Sequence, residues 1–338
     1  MGFGDQPIKR ADGRYDNVDF HKAVGHKFRA IKCAYNRRDV LLFANAIGAQ
    51  ADERHFLYEL HPRFAAFPTF PTNLALKQTD QDVFDPLARA AAAEEAEPVP
   101  GMPPPDARRS VDGERGIEVV SPVPTSSAGL DLEIRGRVLG VYDEGGAVIA
   151  EREHDLVDAR TGRVYVRMTS TTLGIGQGGY GGPRWPKAPV AKTPARQPDV
   201  VHAYRTTPET ALLYRLCGDY SPVHADDELG RRAGFKRATL QSLCTWNIAA
   251  HGLLRGVADS DPARLKAFRA RFNSAVYPGD ELETLIWKTG SEDIYDNYVF
   301  ETIVKGDGRV ALSNGHAKIR QQRSMMGAVV INVRGNPP

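Results

Sequence analysis

The feature that most constrains this chain is one pattern that occurs twice, about 170 residues apart. Residues 36–49, NRRDVLLFANAIGA, combine a polar start with an apolar stripe at helical spacing that ends near Gly48. Residues 207–219, TPETALLYRLCGD, repeat the arrangement, with Thr207 as a candidate N-cap and Pro208 at the first helical position. An offset this long holds a whole domain rather than one unit of a solenoid, so the pattern predicts equivalent helices in two related halves.

Segments that alternate apolar and polar residues, which are typical of half-buried strands, follow in each half. In the first half they include LDLEIRGRVLGVYDE and RVYVRMTSTTLGI, with turns at Gly145–Gly146 and near Gly162. In the second half they run through residues 264–319, with a hairpin at Gly306–Gly308. Ahead of this second set, residues 241–255, QSLCTWNIAAHGLLR, predict a helix buried over more than one face. Helix followed by antiparallel strands, twice over, predicts an α+β fold.

Two segments have the composition of connections. Residues 88–116 are rich in Ala, Glu and Pro, and predict a helical start followed by a mobile loop. Residues 174–199 are rich in Gly, Pro and basic residues, and predict a bridge between the halves. The resulting division is a first domain at 1–175, a linker at 176–200 and a second domain at 201–338.

Composition narrows the classes of partner. Of the 338 residues, 41% are hydrophobic and 25% charged, which is ordinary for a soluble globular protein. The net charge of +2 gives no reason to expect nucleic acid or an anionic membrane as the main partner. No run approaches the roughly 18 apolar residues that a transmembrane helix needs. Cys33, Cys217 and Cys244 are widely spaced and odd in number, which predicts a reducing compartment without a disulfide framework.

The stretch Leu216–His224, LCGDYSPVH, places Asp219 and His224 five residues apart with Pro222 between them. Together with its neighbours, in LYRLCGDYSPVHADDELGRRAGFKRATLQSLCTW, it resembles the signature of the MaoC-like (R)-specific enoyl-CoA hydratases. The segments FLYELHPRFAAFPTF, YGGPRWP and ARFNSAVYPGDEL are similar to their counterparts in the eukaryotic double-hotdog members, which include the hydratase part of the peroxisomal multifunctional enzyme. The resemblance covers most of residues 30–320.

The resemblance implies two hotdog folds side by side, each an antiparallel sheet wrapped around a central helix. It places the active site in the second hotdog and implies a first hotdog that lacks the catalytic pair and helps to shape an acyl pocket. Consistent with this, the residue after Gly48 in the first half is Ala49, whereas the residue after the equivalent Gly218 in the second half is Asp219. It also implies a small-molecule acyl substrate carried as a thioester of CoA or of a carrier protein, and no metal or redox cofactor.

Further expectations concern assembly and location. The resemblance implies a homodimer, while the composition gives neither a nucleic-acid partner nor a membrane span. The N-terminal MGFGDQPIKRADGRYDN has no apolar signal core, so a cytoplasmic location is expected. A peroxisomal location is implied by the resemblance, although the C-terminal RGNPP is not an address of the S-K-L type.

Adding water across a double bond conjugated to a thioester sets the chemical requirements. One group takes a proton from water, one supplies a proton to the α-carbon, and a donor stabilises the enolate-like oxygen. Asp219 and His224 can hold one water between them, and Pro222 stiffens the loop so that the two side chains converge. By resemblance, the oxyanion donor is the backbone N–H of Ser242 at the head of the buried helix, where a helix N-terminus favours negative charge.

The chain departs from the family signature around this pair. Ser221, a further candidate catalytic residue, stands where the family has Asn, while Gln241 and Ser242 stand where it has His and Gly. These departures predict an altered substrate, an altered outcome of the same proton transfers, or weakened activity. The candidate substrate-binding residues are Gly218, Gln241, Trp246, Glu59 and Arg184. Structural roles stay open for several of these candidates: a turn cap for Ser221, core packing for Trp246, a surface acid for Glu59 and a basic linker for Arg184.

Two other motifs suggest ligands only superficially. HADDE, residues 224–228, has acids too close in sequence to converge on a metal, and predicts a solvated helix start. GIGQGGYGG, residues 174–182, lacks the G-K-[ST] ending and the strand-to-helix context of a phosphate loop.

Three functions are therefore open from the sequence. The first is reversible hydration of a trans-2-enoyl thioester to the (R)-3-hydroxyacyl thioester. The second is dehydration, isomerisation or cyclisation of a polyketide-type intermediate by the same Asp and His pair. The third is a hotdog protein that binds an acyl ligand or a partner without catalysis.

Overall fold

The computed structural model describes residues 6–86, 88–89, 97–106, 109–186 and 192–322. The strands in this part of the chain are β1 Ile8–Lys9, β2 Tyr15–Asp16, β3 Ile31–Lys32, β4 Ser110–Val119, β5 Leu132–Asp143, β6 Ala147–Asp158, β7 Val164–Ile175, β8 Val200–Arg205, β9 Leu265–Phe272, β10 Glu281–Glu292, β11 Tyr295–Val304 and β12 Val310–Arg320. The α-helices are α1 Arg37–Ala46, α2 Arg54–Leu57, α3 Leu74–Lys77, α4 Thr210–Arg215, α5 Asp227–Arg232 and α6 Ser242–Ala258. Short 3-10 helices lie at Phe20–Ala23, Phe70–Asn73, Pro222–His224 and Pro262–Arg264.

One antiparallel sheet runs through both halves of the described chain. Its ten strands follow the order β3-β5-β6-β7-β4-β9-β12-β11-β10-β8, so each half contributes five. The halves meet where β4 pairs with β9, with Gly116 opposite Arg269 and Ile117 opposite Phe268. The predicted α+β class is confirmed, and so are the turns at Gly145 and Gly162, whose positive φ values suit glycine.

Helix α6 occupies the concave face of the second half. It is 17 residues long and packs against β8, β9, β10 and β12. Trp246 meets Phe268 edge-on at 4.7 Å between ring centroids, and Phe268 stacks on Phe300 at 4.5 Å. The predicted buried helix is therefore confirmed, since 13 of its residues are buried on several sides. Among the described helices, none is long and apolar enough to cross a bilayer.

The first half fills its concave face differently. The short helices α1 to α3 and the 3-10 turn at Phe70–Asn73 lie there, and no helix of the described first half matches the length of α6. Aromatic side chains carry the packing: the Phe43 ring meets Phe70 edge-on at 5.5 Å and lies 6.2 Å from the ring of Tyr214, which belongs to α4 of the second half. The two halves therefore share one core.

The two equivalent helices begin differently from the prediction. Asn36 caps α1 and forms a capping box with Asp39, as the polar start indicated. However, α4 begins only at Thr210, so Thr207 is not its N-cap and Pro208 lies outside it. The Thr207 hydroxyl accepts a hydrogen bond from the N–H of Glu209 at 3.3 Å, and the N–H of Thr207 donates to the Thr210 hydroxyl at 2.8 Å, so the two threonines close a turn ahead of the helix.

The predicted connections are partly strand. Strand β4 begins at Ser110, so residues 110–116 belong to the sheet and not to a loop. The backbone of this strand pairs with β7 on one side and with β9 on the other. The strand was not predicted because the preceding stretch is rich in Ala, Glu and Pro, which is typical of a connection. Of the predicted helical start and loop, residues 90–96 and 107–108 lie outside the described residues, and residues 97–106 contain no helix or strand.

Candidate active site

The backbone after α4 makes a tight turn at Gly218, whose φ is +120°. A Cβ at this position would lie 2.9 Å from Cβ of Lys77 and 3.0 Å from its backbone N, so only glycine fits. Gly218 was predicted to bind substrate, but it lies against Lys77 of the first half and has a positioning role. The turn delivers Asp219, and a 3-10 helix that starts at Pro222 then delivers His224.

Asp219 and His224 face each other. Their nearest atoms, Oδ2 of Asp219 and Nε2 of His224, are 3.8 Å apart. This distance is too long for a direct hydrogen bond and leaves room for a bridging water. The two side chains are 20% and 14% exposed, so they are sheltered and still reachable by solvent. The N–H of Ser221 donates to Oδ1 of Asp219 at 3.3 Å, so Ser221 acts through its backbone and its side chain caps no helix.

Thr239 determines which nitrogen of His224 faces the acid. Nδ1 of His224 lies 3.0 Å from the carbonyl oxygen of Thr239 and 3.2 Å from its hydroxyl. A carbonyl oxygen only accepts, so Nδ1 carries the proton and Nε2 is left as an acceptor towards Asp219. Burial lowers the pKa of His224, and this effect outweighs the attraction of Asp219, which raises it. The imidazole is therefore neutral near neutral pH.

His224 opens on a cavity of about 550 Å³, which is within the usual range for small-molecule sites. Its wall includes Val223, Phe235, Leu240, Phe272, Val276 and Leu312 from the second half. Val111, Gly113 and Leu173 come from β4 and β7 of the first half. The wall is thus largely apolar and is built by both halves, and its polar side chains include those of His224, Asp112 and Arg271.

The start of α6 lies on the same cavity. Ser242 is the first residue of the helix, and Thr245 follows one turn later in the cavity wall. The first N–H groups of a helix have no acceptor within the helix, and the helix dipole makes this end favourable for negative charge. Ser242 and His224 therefore meet at one cavity, as the sequence predicted.

Two predicted substrate-binding residues, one in α6 and one that caps its start, lie in the core instead. Trp246 has no exposed surface, and its indole N–H donates to the carbonyl of Arg115 at 3.3 Å across the seam between the halves. Gln241 is also fully buried, and its amide donates to the carbonyl of Ala211 at 3.1 Å. These bonds hold α6 against β4 and α4, so the prediction of substrate contact was wrong for both residues.

Glu59 and Arg184 lie on the surface. Glu59 is exposed in a turn after α2 and is not part of the cavity wall. Arg184 has a side chain that is 71% exposed and lies 3.5 Å from Glu144. Neither side chain belongs to the cavity wall, so contact of these two residues with the substrate stays a prediction.

Sequence reasoning missed the residue next to Arg184. Trp185 lines the cavity, and its indole N–H donates to Glu151 at 2.9 Å. The guanidinium of Arg271, also in the wall, lies 5.3 Å from the Trp185 ring, a cation–π distance. The available signal was an aromatic residue in an otherwise Gly- and Pro-rich linker.

The glycine-rich loop wraps around a carboxylate of the protein itself. The N–H groups of Gly179 and Gly181 donate to Asp143 at 2.9 Å each, and Tyr180 donates at 2.5 Å. These three donors are thus occupied by Asp143 and are not free to bind a phosphate. The HADDE motif likewise forms a helix start, with Asp226 accepting from the N–H of Leu229.

A double hotdog with an acid–imidazole pair, an apolar cavity and a helix N-terminus defines the class of hotdog hydro-lyases. Residues 189–307 match the MaoC like domain, and residues 33–176 match the MFE-2 hydratase 2 N-terminal domain. This chain belongs to the MaoC-like hydratase and dehydratase family.

Individual relatives agree with this assignment. A probable dehydratase of Ajellomyces capsulatus is 42% identical over 307 residues, which cover 87% of this chain and 81% of that protein. The peroxisomal multifunctional enzyme type 2 of Drosophila melanogaster is 32% identical over 86% of this chain, which spans only 47% of that enzyme. The crystal structure of a MaoC-like dehydratase from Phytophthora capsici has a TM-score of 0.78 at 30% identity, covering 89% of this chain and 99% of that one.

Proposed function

We propose that this chain interconverts a 2-enoyl thioester and an (R)-3-hydroxyacyl thioester by adding or removing water. The observation that carries the proposal is the separation of 3.8 Å between Asp219 and the unprotonated Nε2 of His224. A water between them donates one hydrogen bond to each group, so both of its protons are held. The relatives named enoyl-CoA hydratase and dehydratase support this reaction.

Hydration then needs only the atoms of that water. As its oxygen attacks the β-carbon of the enoyl group, the Asp219–His224 pair takes one proton and passes it to the α-carbon. The hydroxyl thus ends on the β-carbon and the proton on the α-carbon, and dehydration is the reverse. Because this pair performs both proton transfers, the proposed reaction needs no metal or redox cofactor.

The other parts of the site position the substrate. The thioester oxygen, which gains negative charge in the transition state, is placed against the N–H groups at the start of α6 beside Ser242. The acyl chain occupies the apolar part of the cavity between Leu240, Leu312 and Leu173. In this proposal the first half, residues 1–175, shapes the acyl pocket, residues 176–200 connect the halves, and residues 201–338 carry the catalytic pair.

The test is an absorbance assay with crotonyl-CoA and decenoyl-CoA, followed by chiral separation of the product. Wild-type protein is expected to form the (R)-3-hydroxyacyl ester, and Asp219→Asn and His224→Ala are expected to abolish this activity. Glu59→Gln is the matched control, since it neutralises an acid outside the cavity, and full activity is expected. Equal activity of wild type and Asp219→Asn would contradict the mechanism.

Other outcomes would redirect the assignment. If the protein were inactive on CoA esters but converted a carrier-bound or polyketide-type intermediate, the assigned substrate would change and the catalytic pair would stay the same. If the protein were inactive on all of these substrates but bound an acyl ligand tightly, the proposed function would be ligand binding without catalysis.

Assembly and location stay predictions. The homodimer is tested by light scattering on the purified chain, where the mass of one chain would contradict it. The cytoplasmic or peroxisomal location is tested by imaging a tagged full-length chain, and four relatives named as peroxisomal support the second alternative.

A further inference from the structure

The first half contains a second cavity of about 410 Å³. None of its wall residues lines the active-site cavity. The wall is formed by residues 12–15 of the N-terminal segment, residues 102–106, strands β6 and β7, and residues 176–178. It combines apolar surface, such as Met102 and Val148, with several cationic side chains.

Arg152 extends from β6 into this cavity wall. Strand alternation puts it on the same face as Leu156, four residues on, which is fully buried in the core. It stands opposite Val138 of β5 and Ser170 of β7, and its guanidinium lies 5.3 Å from the ring of Phe28. Arg152 is therefore a cation on the concave face of the sheet, where a charge is costly without a partner.

No partner for this charge is found in the part of the chain that the structure describes. Nε of Arg152 is buried without a hydrogen bond, and no carboxylate lies within ion-pair distance of the guanidinium. Burial lowers the pKa of Arg152, and the nearby Arg115 lowers it further. Asp112 forms an ion pair with Arg115 at 2.7 Å, so its carboxylate is not available to Arg152.

The acids in the wall are already paired. Asp12 lies 3.6 Å from Arg10, and Asp106 lies 3.2 Å from Arg109. His154, on the same face of β6, offers no charge either, because burial and the two arginines of this face lower its pKa to about 4. The cavity therefore presents one sheltered guanidinium whose charge the described residues leave uncompensated.

We propose that this cavity binds a small organic anion, with its carboxylate or phosphate group on the guanidinium of Arg152 and its apolar part against Met102 and Val148. A planar guanidinium matches carboxylate and phosphate oxygens in pairs, and both chemistries therefore fit. Thr172 of β7 adds a neutral polar side chain to the same wall. The proposal concerns a site apart from Asp219 and His224 and does not depend on the hydratase reaction.

The test is calorimetric titration of the purified full chain, in a buffer of low anion content, with inorganic phosphate and with succinate. Succinamide is the neutral control ligand, because it keeps the shape of succinate and lacks the charge. At least one of the two anions is expected to bind, with one ligand per chain. Succinamide is not expected to bind. Binding of phosphate alone would identify a phosphate ester as the ligand, and binding of succinate alone a carboxylate.

Arg152→Gln is expected to weaken binding about tenfold or more, as loss of a charged hydrogen bond does. Arg184→Gln is the matched control, since it removes an exposed arginine outside this cavity, and affinity like that of wild type is expected. Equal affinity of Arg152→Gln and wild type, or absence of binding to either anion, would overturn the proposal.

A second variant separates ligand binding from a structural role. Without ligand, Arg152→Met is expected to unfold at the same temperature as wild type or higher, because it removes an unpaired sheltered charge and keeps a long apolar side chain. Added anion is expected to raise the unfolding temperature of wild type only. A marked loss of stability in Arg152→Met would show that the arginine serves the fold, which contradicts the proposal.

Discussion

The carbonyl oxygen of Thr239 lies 3.0 Å from Nδ1 of His224, and this contact leaves Nε2 unprotonated beside Asp219. The acid and the imidazole are therefore both proton acceptors at rest. Two acceptors at 3.8 Å suit a water that donates to each, and this arrangement underlies the predictions that follow.

The first prediction concerns the acid limb of the pH profile. Burial holds the pKa of His224 below its ordinary value of 6.5, and only the neutral form accepts a proton. As pH falls, activity should therefore be retained below pH 6.5 and lost as the imidazole becomes protonated. A profile of kcat/KM against pH measures this limb. In the inactive variant Asp219→Asn, the His224 imidazole, followed by NMR, should titrate at still lower pH, because the carboxylate that raises its pKa is gone; a shift upward would contradict this.

The second prediction concerns the N–H of Ser242. Ser242→Pro removes this donor while proline is well tolerated at the first position of a helix. Gln241, the preceding residue, already has the extended φ of −58° and ψ of 135° that a following proline requires. We expect kcat to fall about a hundredfold, as for other lost oxyanion donors, with the thermal unfolding temperature little changed.

Ser242→Ala is the control for that variant, since it keeps the N–H and loses only the hydroxyl. Its kcat is expected to stay near that of wild type. If Ser242→Pro and Ser242→Ala have the same kcat, the backbone donor has no part in the reaction.

The third prediction concerns the turn before Asp219. Gly218→Ala introduces a Cβ against Lys77 at a φ of +120°, and both effects are expected to destabilise the fold and displace Asp219. Gly234→Ala is matched, because Gly234 also has positive φ but open space around its Cβ position. Urea unfolding together with the hydratase assay should show a large loss in Gly218→Ala and only the cost of strain, on the order of 1 kcal/mol, in Gly234→Ala. If both variants lost the same stability and activity, the contact with Lys77 would not be the reason that Gly218 is required.

The fourth prediction concerns Glu53, a buried acid of the first half. Burial alone would raise its pKa, but the hydrogen bonds from His251 at 2.9 Å and from Ser260 outweigh it and lower the pKa to about 2. A lowered carboxyl pKa gives stability that is present above the unfolded-state value of 4.5 and is lost as pH falls towards 2. The contribution is on the order of 3 kcal/mol at neutral pH.

Glu53→Gln should therefore unfold at lower urea concentration than wild type at pH 7, and the difference should shrink as the pH is lowered from 4.5. Glu59→Gln, on the exposed neighbouring turn, should match wild type at both ends of the range. A difference between Glu53→Gln and wild type that is independent of pH would show that charge is not the cause.

The sequence allowed the catalytic pair to be predicted because Asp219, Pro222 and His224 lie in one short stretch. Over five residues, local backbone geometry restricts the positions of the side chains, so their relative placement depends little on the rest of the fold. The duplicated helix and strand patterns predicted an α+β fold in two related halves, whereas the double hotdog followed from the resemblance to the family. The long central helix is present only in the described second half.

The rest of the site could not be predicted, for a physical reason. Helix α6 is buried on several sides, so apolar periodicity cannot distinguish the side that faces the cavity from the side that faces the sheet. Thr245 therefore lines the cavity while Trp246, the next residue, packs into the core. Trp185 and Arg271 come from distant parts of the chain and meet only in the folded protein.

The most direct test of the shared water is a double-mutant cycle on Asp219 and His224, measured as kcat/KM for decenoyl-CoA hydration. If both groups hold one water, Asp219→Asn and His224→Gln should each lose nearly as much activity as the double variant, because either change dismantles the same unit. Losses that multiply in the double variant would show that the two residues act independently, and the account of the site would be wrong.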